Sequence, residues 1–214
     1  QLQQRRREAG EAITQHRAEL QDIYEASIDS LDAARALQAR VAQAREVFAG
    51  QRDLADIEDA RRQLGKICAD LETWSAIDGS PEDIEAQLTA AIEARCVELE
   101  RWCEEQEVEP LWPFRKVYYA FCGRHVAAAR ERSALWVRSF VPRFEDIGAL
   151  SLEQCRQKLQ VLQRERPGYL GAADLKVVER ACDALQARAS ELEESQERAE
   201  AQRWLAQFEG VPQR

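Results

Sequence analysis

Cys122 and His125 stand three residues apart in the stretch FCGRH, and Cys96 and Cys103, earlier in the chain, are seven apart. On helices each pair shares one face. Four soft or borderline ligands would therefore converge as a Cys3His zinc site if the two helices packed in the right register. The opposing reading is that all four residues occupy positions where an apolar side chain belongs, since small thiols fill helical cores well. With no CxxC pair and no knuckle to preorganise the ligands, the spacing favours the packed core, and no cofactor is expected. The other histidine, His16, falls at a core-spaced position with no nucleophile beside it. A phosphate-binding GxxxxGK, a GxGxxG after a strand, an HExxH and a GxSxG are all missing from the sequence, so the chain reads as non-catalytic.

Charge supplies the second candidate chemistry. Between Glu82 and Glu109 ten acidic residues stand against two arginines, a net of −8 in a chain whose total is −9. From Arg115 to Arg143 seven basic residues stand against Glu131 alone, a net of +6. Arg115, Lys116, Arg124, Arg130, Arg132 and Arg138 are thus candidates for meeting a phosphate backbone or an acidic partner, with the nearby Trp112, Tyr118 and Tyr119 available for stacking. The alternative is that the acidic and basic helices lie antiparallel across the intervening prolines and screen one another, each exposed pair contributing only about 0–1 kcal/mol. An acidic balance argues against autonomous nucleic-acid binding and leaves at most a weak local contact. The aromatic run Trp112, Phe114, Tyr118, Tyr119 and Phe121 packs the proline corner, or else presents Trp112 and Tyr119 as a protein-binding anchor.

Helices must position these residues. A heptad-like stripe begins at Leu2, Ala9, Ile13, His16, Leu20 and Ile23 and continues through Tyr24, Leu31, Leu37, Val41 and Phe48, in one long helix or two end to end. Gly50 and Asp53 read as a stop and a cap, after which Leu54, Ile57, Leu64, Ile67, Leu71, Trp74 and Ile77 form a second stripe, weakened slightly by Gly65. In DGSPED, Gly79 ends that helix, Ser80 caps the next and Pro81 suits its first turn. A third stripe then runs Ile84, Leu88, Ile92, Cys96, Leu99 and Cys103 up to Pro110 and Pro113. The fourth helix starts near Phe114 with Val117, Phe121, His125, Ala128, Leu135 and Phe140 as its stripe, and RFEDIGAL reads as a loop. SLEQ, Ser151 to Gln154, is a capping box that opens a helix through Leu152, Cys155, Leu159 and Leu162. The last helix carries Leu175, Val178, Cys182, Leu185, Ala189 and Leu192, extended by Ala199, Trp204 and Phe208, with Gly210 and Pro212 as its stop. No run alternates apolar and polar residues with β-branched enrichment, so no strand is expected.

The expected fold is all-α, an elongated bundle of about six helices in one unit spanning 1–214. Its terminal helices, 1–50 and 172–209, would be about 70 and 55 Å long at 1.5 Å per residue and pair antiparallel as a stalk, with 53–166 forming a bundle of shorter helices. The composition, 45% hydrophobic and 32% charged over 214 residues, is that of a globular or coiled-coil protein, and no apolar run approaches the roughly 18 residues of a membrane span. Absence of methionine and of a signal-peptide core behind the basic start reads as a segment of a longer polypeptide. Six cysteines placed singly read as reduced thiols and a cytoplasmic home. The excess of arginine over lysine points to a GC-rich, bacterial genome.

The segment LWVRSFVPRFEDIGALSLEQCRQKLQVL resembles the first two helices of a spectrin repeat, with Trp136 as its tryptophan, over about a seventh of the chain. RPGYLG, from Arg166 to Gly171, departs from that pattern by breaking the second helix. The functional expectation is a helical scaffold or protein–protein interaction segment of a larger cytoplasmic protein, partnered by another protein, by flanking domains of the same chain or by a second copy. The alternative is a coiled-coil insertion in a nucleotide-driven, DNA-acting machine whose catalytic motifs lie outside these residues.

Overall fold

The computed structural model describes residues 18–47 and 54–209, and every regular element among them is helical. Residues 18–24 form a helical stretch, followed by α1 (Leu31–Val47), α2 (Leu54–Trp74), α3 (Pro81–Glu105), α4 (Phe114–Phe140), α5 (Phe144–Ile147), α6 (Leu152–Arg164) and α7 (Ala172–Glu209). The protein is an all-α helical bundle, as the periodicity predicts. Leu2, Ala9, Ile13, His16 and Phe48 of the first stripe, the Gly50 stop, the Asp53 cap and the Gly210 and Pro212 stop lie outside the described residues.

Within the first stripe the described residues form two helices. The helical stretch closes at Tyr24, and the chain from 25 to 30 is non-helical. Ser30 then caps α1 by accepting the Ala33 N–H on its Oγ at 3.2 Å. Apolar spacing alone leaves one helix or two open here; Ser27, Asp29 and Ser30, whose short polar side chains compete for backbone hydrogen bonds, occupy the break. A second difference lies in RFEDIGAL, where the expected loop contains the single-turn helix α5 and buries Ile147.

The residues gather into two compact units. The first takes the described chain up to Asp78 together with Asp83–Ala127. In it α1 packs on α2, burying Ala34, Leu37, Val41 and Ala44 on one side and Ile57, Leu64, Ile67 and Leu71 on the other. The predicted α3 stripe is buried in full, with Ile84, Leu88, Ile92, Cys96, Leu99 and Cys103 all inaccessible. α3 ends in a Schellman motif: the Val108 N–H reaches the Cys103 carbonyl at 3.0 Å and the Glu107 N–H the Glu104 carbonyl at 3.2 Å. The left-handed position of that motif, normally glycine, is Glu107 at φ 53°.

The second unit comprises Gly79–Glu82 and the described chain from Ala128 onward. Its core gathers Trp136, Ile147, Cys155, Leu162, Leu170, Val178, Ala181, Leu185 and Ala189. The capping box forms as the sequence predicts: the Gln154 N–H donates to Ser151 Oγ, and the Ser151 N–H to Gln154 Oε1 at 2.9 Å. Gly79, at φ 148°, adopts backbone that other residues rarely enter, and α3 begins at Pro81.

The second half of α4 corrects the predicted stripe. Val117 and Phe121 are buried as expected, but beyond them the inward positions are Val126, Ala129, Ser133 and Trp136. Ala128 faces solvent, and Leu135 and Phe140 are 58% and 42% exposed. Ser133 disguised the true phase, because a serine does not read as core. It is fully buried and satisfied, donating to Asp174 and accepting the Gly171 N–H on its Oγ at 3.0 Å.

Candidate functional site

The first unit contains one polar network that sequence reasoning missed. Asp70 on α2 accepts at its Oδ2 from the Tyr118 hydroxyl of α4 at 2.6 Å and from Arg95 Nε of α3 at 2.9 Å. Arg95 also donates to Glu98 at 2.8 Å. Tyr118 has no exposed surface, and its ring meets Trp74 edge-on with centroids 4.8 Å apart. Burial, and then the bond to Asp70, push the Tyr118 hydroxyl well above the ordinary tyrosine range. Burial opposes the charge on Arg95, but the hydrogen bonds to Asp70 and Glu98 outweigh it and raise the guanidinium further. Neither donor releases a proton near neutrality, so the network fastens three helices at one carboxylate and has no proton to move. The signal available in the sequence was Arg95, one of only two arginines in the acidic stretch 82–109.

Gln63 is the other missed residue. It is fully buried on α2, and its amide pairs with the proline corner, Nε2 donating to the Glu109 carbonyl at 2.9 Å and Oε1 accepting the Leu111 N–H at 2.8 Å. One side chain thus satisfies two backbone groups of a non-helical segment.

The zinc candidates lie apart from any ligand geometry. Cys96, Cys103 and Cys122 are buried among apolar neighbours, and burial raises all three thiols above their ordinary range. His125 donates from Nε2 to the Ile77 carbonyl at 2.9 Å and stacks on Phe121 at 5.6 Å between centroids. Among the described residues no three His, Cys, Asp or Glu side chains group as a metal site.

The basic candidates are largely engaged within the chain. Arg115 pairs with Glu93 and, at 3.4 Å, with Glu100 of the acidic helix, and Arg124 pairs with Asp29. Tyr119 donates to Glu93 at 2.6 Å. The Tyr119 hydroxyl and the Arg115 guanidinium together hold the Glu93 carboxyl below the usual carboxylate range. Arg132 stacks on Tyr169 at 4.5 Å and reaches the Gly79 carbonyl at 3.4 Å; Arg138 reaches the Ala134 carbonyl at 3.3 Å. Arg130 is exposed but not free of interactions. Lys116 is exposed and forms no ion pair among the described residues. The proposed anchor pair divides: Tyr119 is 41% exposed, whereas Trp112 is only 2% exposed, buried by the corner that the prolines build.

One cleft of about 200 Å³ opens in the first unit. Tyr24, at the end of the first helical stretch, and the non-helical residues 25–28 form one wall, and Trp112, Pro113, Lys116, Val117 and Ala120 form the other. Trp112 Nε1 is buried and has no acceptor among the described residues. Elsewhere α7 leaves the second core behind: burial ends near Leu192, and every side chain from Glu194 to Gln207 is exposed, including Trp204 at 63% and Leu205 at 60%. No described helix is long and apolar enough to cross a membrane. No protein-family profile, no curated protein and no solved structure matches this chain, so the spectrin resemblance of residues 135–162 is not extended by any relative.

Proposed function

We propose that this chain is a non-catalytic helical scaffold and protein–protein interaction segment of a larger cytoplasmic protein, docking its partner along the carboxyl-terminal part of α7. The observation that carries the reading is the exposure of Trp204 and Leu205, at 63% and 60%, toward the carboxyl end of α7. Ala201, Trp204 and Leu205 follow the i, i+3, i+4 spacing of one helical face, and tryptophan is a common anchor at interfaces. Most helical stability in proteins comes from covering an apolar face. From Ser190 to Glu209 six glutamates stand against two arginines, so the matching partner is a helix with an apolar seam and basic flanks. Six free thiols, five of them buried, support a reducing compartment.

The test is a photo-crosslinking residue at position 205 of the full-length protein, followed by reconstitution with the purified crosslinked partner. A single partner or flanking segment, bound at least about tenfold more weakly after Trp204→Glu, is the expected result. Crosslinks scattered over unrelated proteins, or affinity indifferent to Trp204, overturn the reading.

A further inference from the structure

We infer that the surface receiving the carboxyl-terminal part of α7 is the outer face of α4 in a second copy of this chain; the inference rests on the reading of α7 as a docking helix. The second unit carries both halves of such a contact. From Ala128 to Arg143 four arginines stand against Glu131 alone, a net of +3, and all five side chains are exposed. Ala128, Glu131, Arg132, Leu135, Arg138 and Ser139 recur at spacings of three, four and seven, so they share one side of α4, and each of them is exposed. Leu135, at 58%, is the large apolar side chain at the centre of that face. The core is met by a different side, through Ala129, Ser133 and Trp136. An apolar seam with basic flanks is the complement of an α7 segment that carries −4 between Ser190 and Glu209 and exposes Trp204 and Leu205. Pairing one α7 segment with another would instead bring −4 against −4.

Helix length decides that the two halves come from different copies. Asp174, in the first turn of α7, accepts from the Ser133 hydroxyl, and the Gly171 N–H donates to the same Oγ at 3.0 Å. The start of α7 is thereby fixed beside α4, two residues from Leu135. Trp204 stands thirty residues beyond Asp174 on the same uninterrupted helix, Ala172–Glu209. At 1.5 Å per residue that is about 45 Å, far outside the reach of a side chain. Each α7 therefore carries Trp204 away from the Leu135 face of its own chain, and the α7 that covers this face belongs to another copy. Two copies related by a two-fold axis make the contact twice, each lending one acidic helix end and one basic seat.

The experiment is sedimentation of the full chain over a concentration series, for the wild type, Trp204→Glu, Leu135→Glu and an equimolar mixture of the two variants. Both positions are exposed, so neither change enters a core. The expected results are a wild-type dimer that weakens with added salt and self-association at least about tenfold weaker in each variant. In the mixture a heterodimer returns, because the intact α7 of the Leu135→Glu copy meets the intact seat of the Trp204→Glu copy. A monomeric wild type overturns the inference while leaving α7 to dock a different, crosslinked partner. A dimer indifferent to Leu135→Glu, or a mixture that associates no better than its components, also overturns it. A dimer indifferent to Trp204→Glu overturns the inference and the reading of α7 together.

Discussion

The hydroxyl of Tyr118, a residue with no exposed surface, donates to Asp70 Oδ2 at 2.6 Å across forty-eight positions of sequence. Arg95 meets the same oxygen from a third helix. Tyr118→Phe removes one charge-assisted bond and is expected to destabilise by about 1–2 kcal/mol, whereas Asp70→Asn also takes one of the two carboxylates from Arg95, leaving it Glu98, and costs more. A double-mutant cycle in urea unfolding checks this. Strictly additive losses would mean that the two side chains are not coupled.

Alkaline pH tests the same hydroxyl. The Tyr118 pKa is raised in the folded state, so the native chain holds that proton more tightly than the unfolded one. The stabilisation is therefore fully present below the unfolded tyrosine pKa of about 10 and declines as pH rises above it. Ultraviolet titration should show Tyr118 ionising only together with unfolding, and in Tyr118→Phe the stability, lower at neutrality, should fall less steeply above about pH 10.

Gln63 holds the proline corner through two backbone partners. Gln63→Leu keeps the volume but orphans the Glu109 carbonyl and the Leu111 N–H, at about 1–3 kcal/mol for each group that water cannot reach. Amide exchange at Leu111 should accelerate more than at α2 positions one turn away. Unchanged exchange there would contradict the clamp.

Two glycine substitutions should have opposite logic and the same sign. Glu107→Gly relieves a left-handed backbone, and Gly65→Ala fills open space within α2 where an added Cβ meets nothing within 4 Å. Each is expected to stabilise by about 0.5–1 kcal/mol in thermal or urea unfolding. A loss at either position would show that its local geometry is otherwise constrained.

Cysteine reactivity separates core from metal chemistry. Burial raises the thiols of Cys96, Cys103, Cys122 and Cys182 alike, but Cys182 is partly exposed while the other three are buried. Alkylation followed by mass spectrometry should label Cys182 first, and added zinc should not change the rates of the other three. Zinc protection of Cys96, Cys103, Cys122 together would restore the metal reading.

Local chemistry made much of this legible from residue order. The α3 stripe, the SLEQ box and the Gly79–Pro81 corner each depend on neighbours within one or two helical turns, where periodicity and capping govern. The inward phase of α4 past His125 was not legible, because Ser133 is a core residue only by virtue of Asp174 and Gly171, about forty residues away. Asp70, Arg95 and Tyr118 meet only because three helices bring them to one point, and Gln63 finds the corner from forty-six residues away. The cleft beside Trp112 likewise depends on a break at residues 25–30 that apolar spacing alone leaves open. Which sides of these helices are greasy is a property of each segment; which buried polar atoms are satisfied depends on partners distant in sequence, and packing alone brings those together.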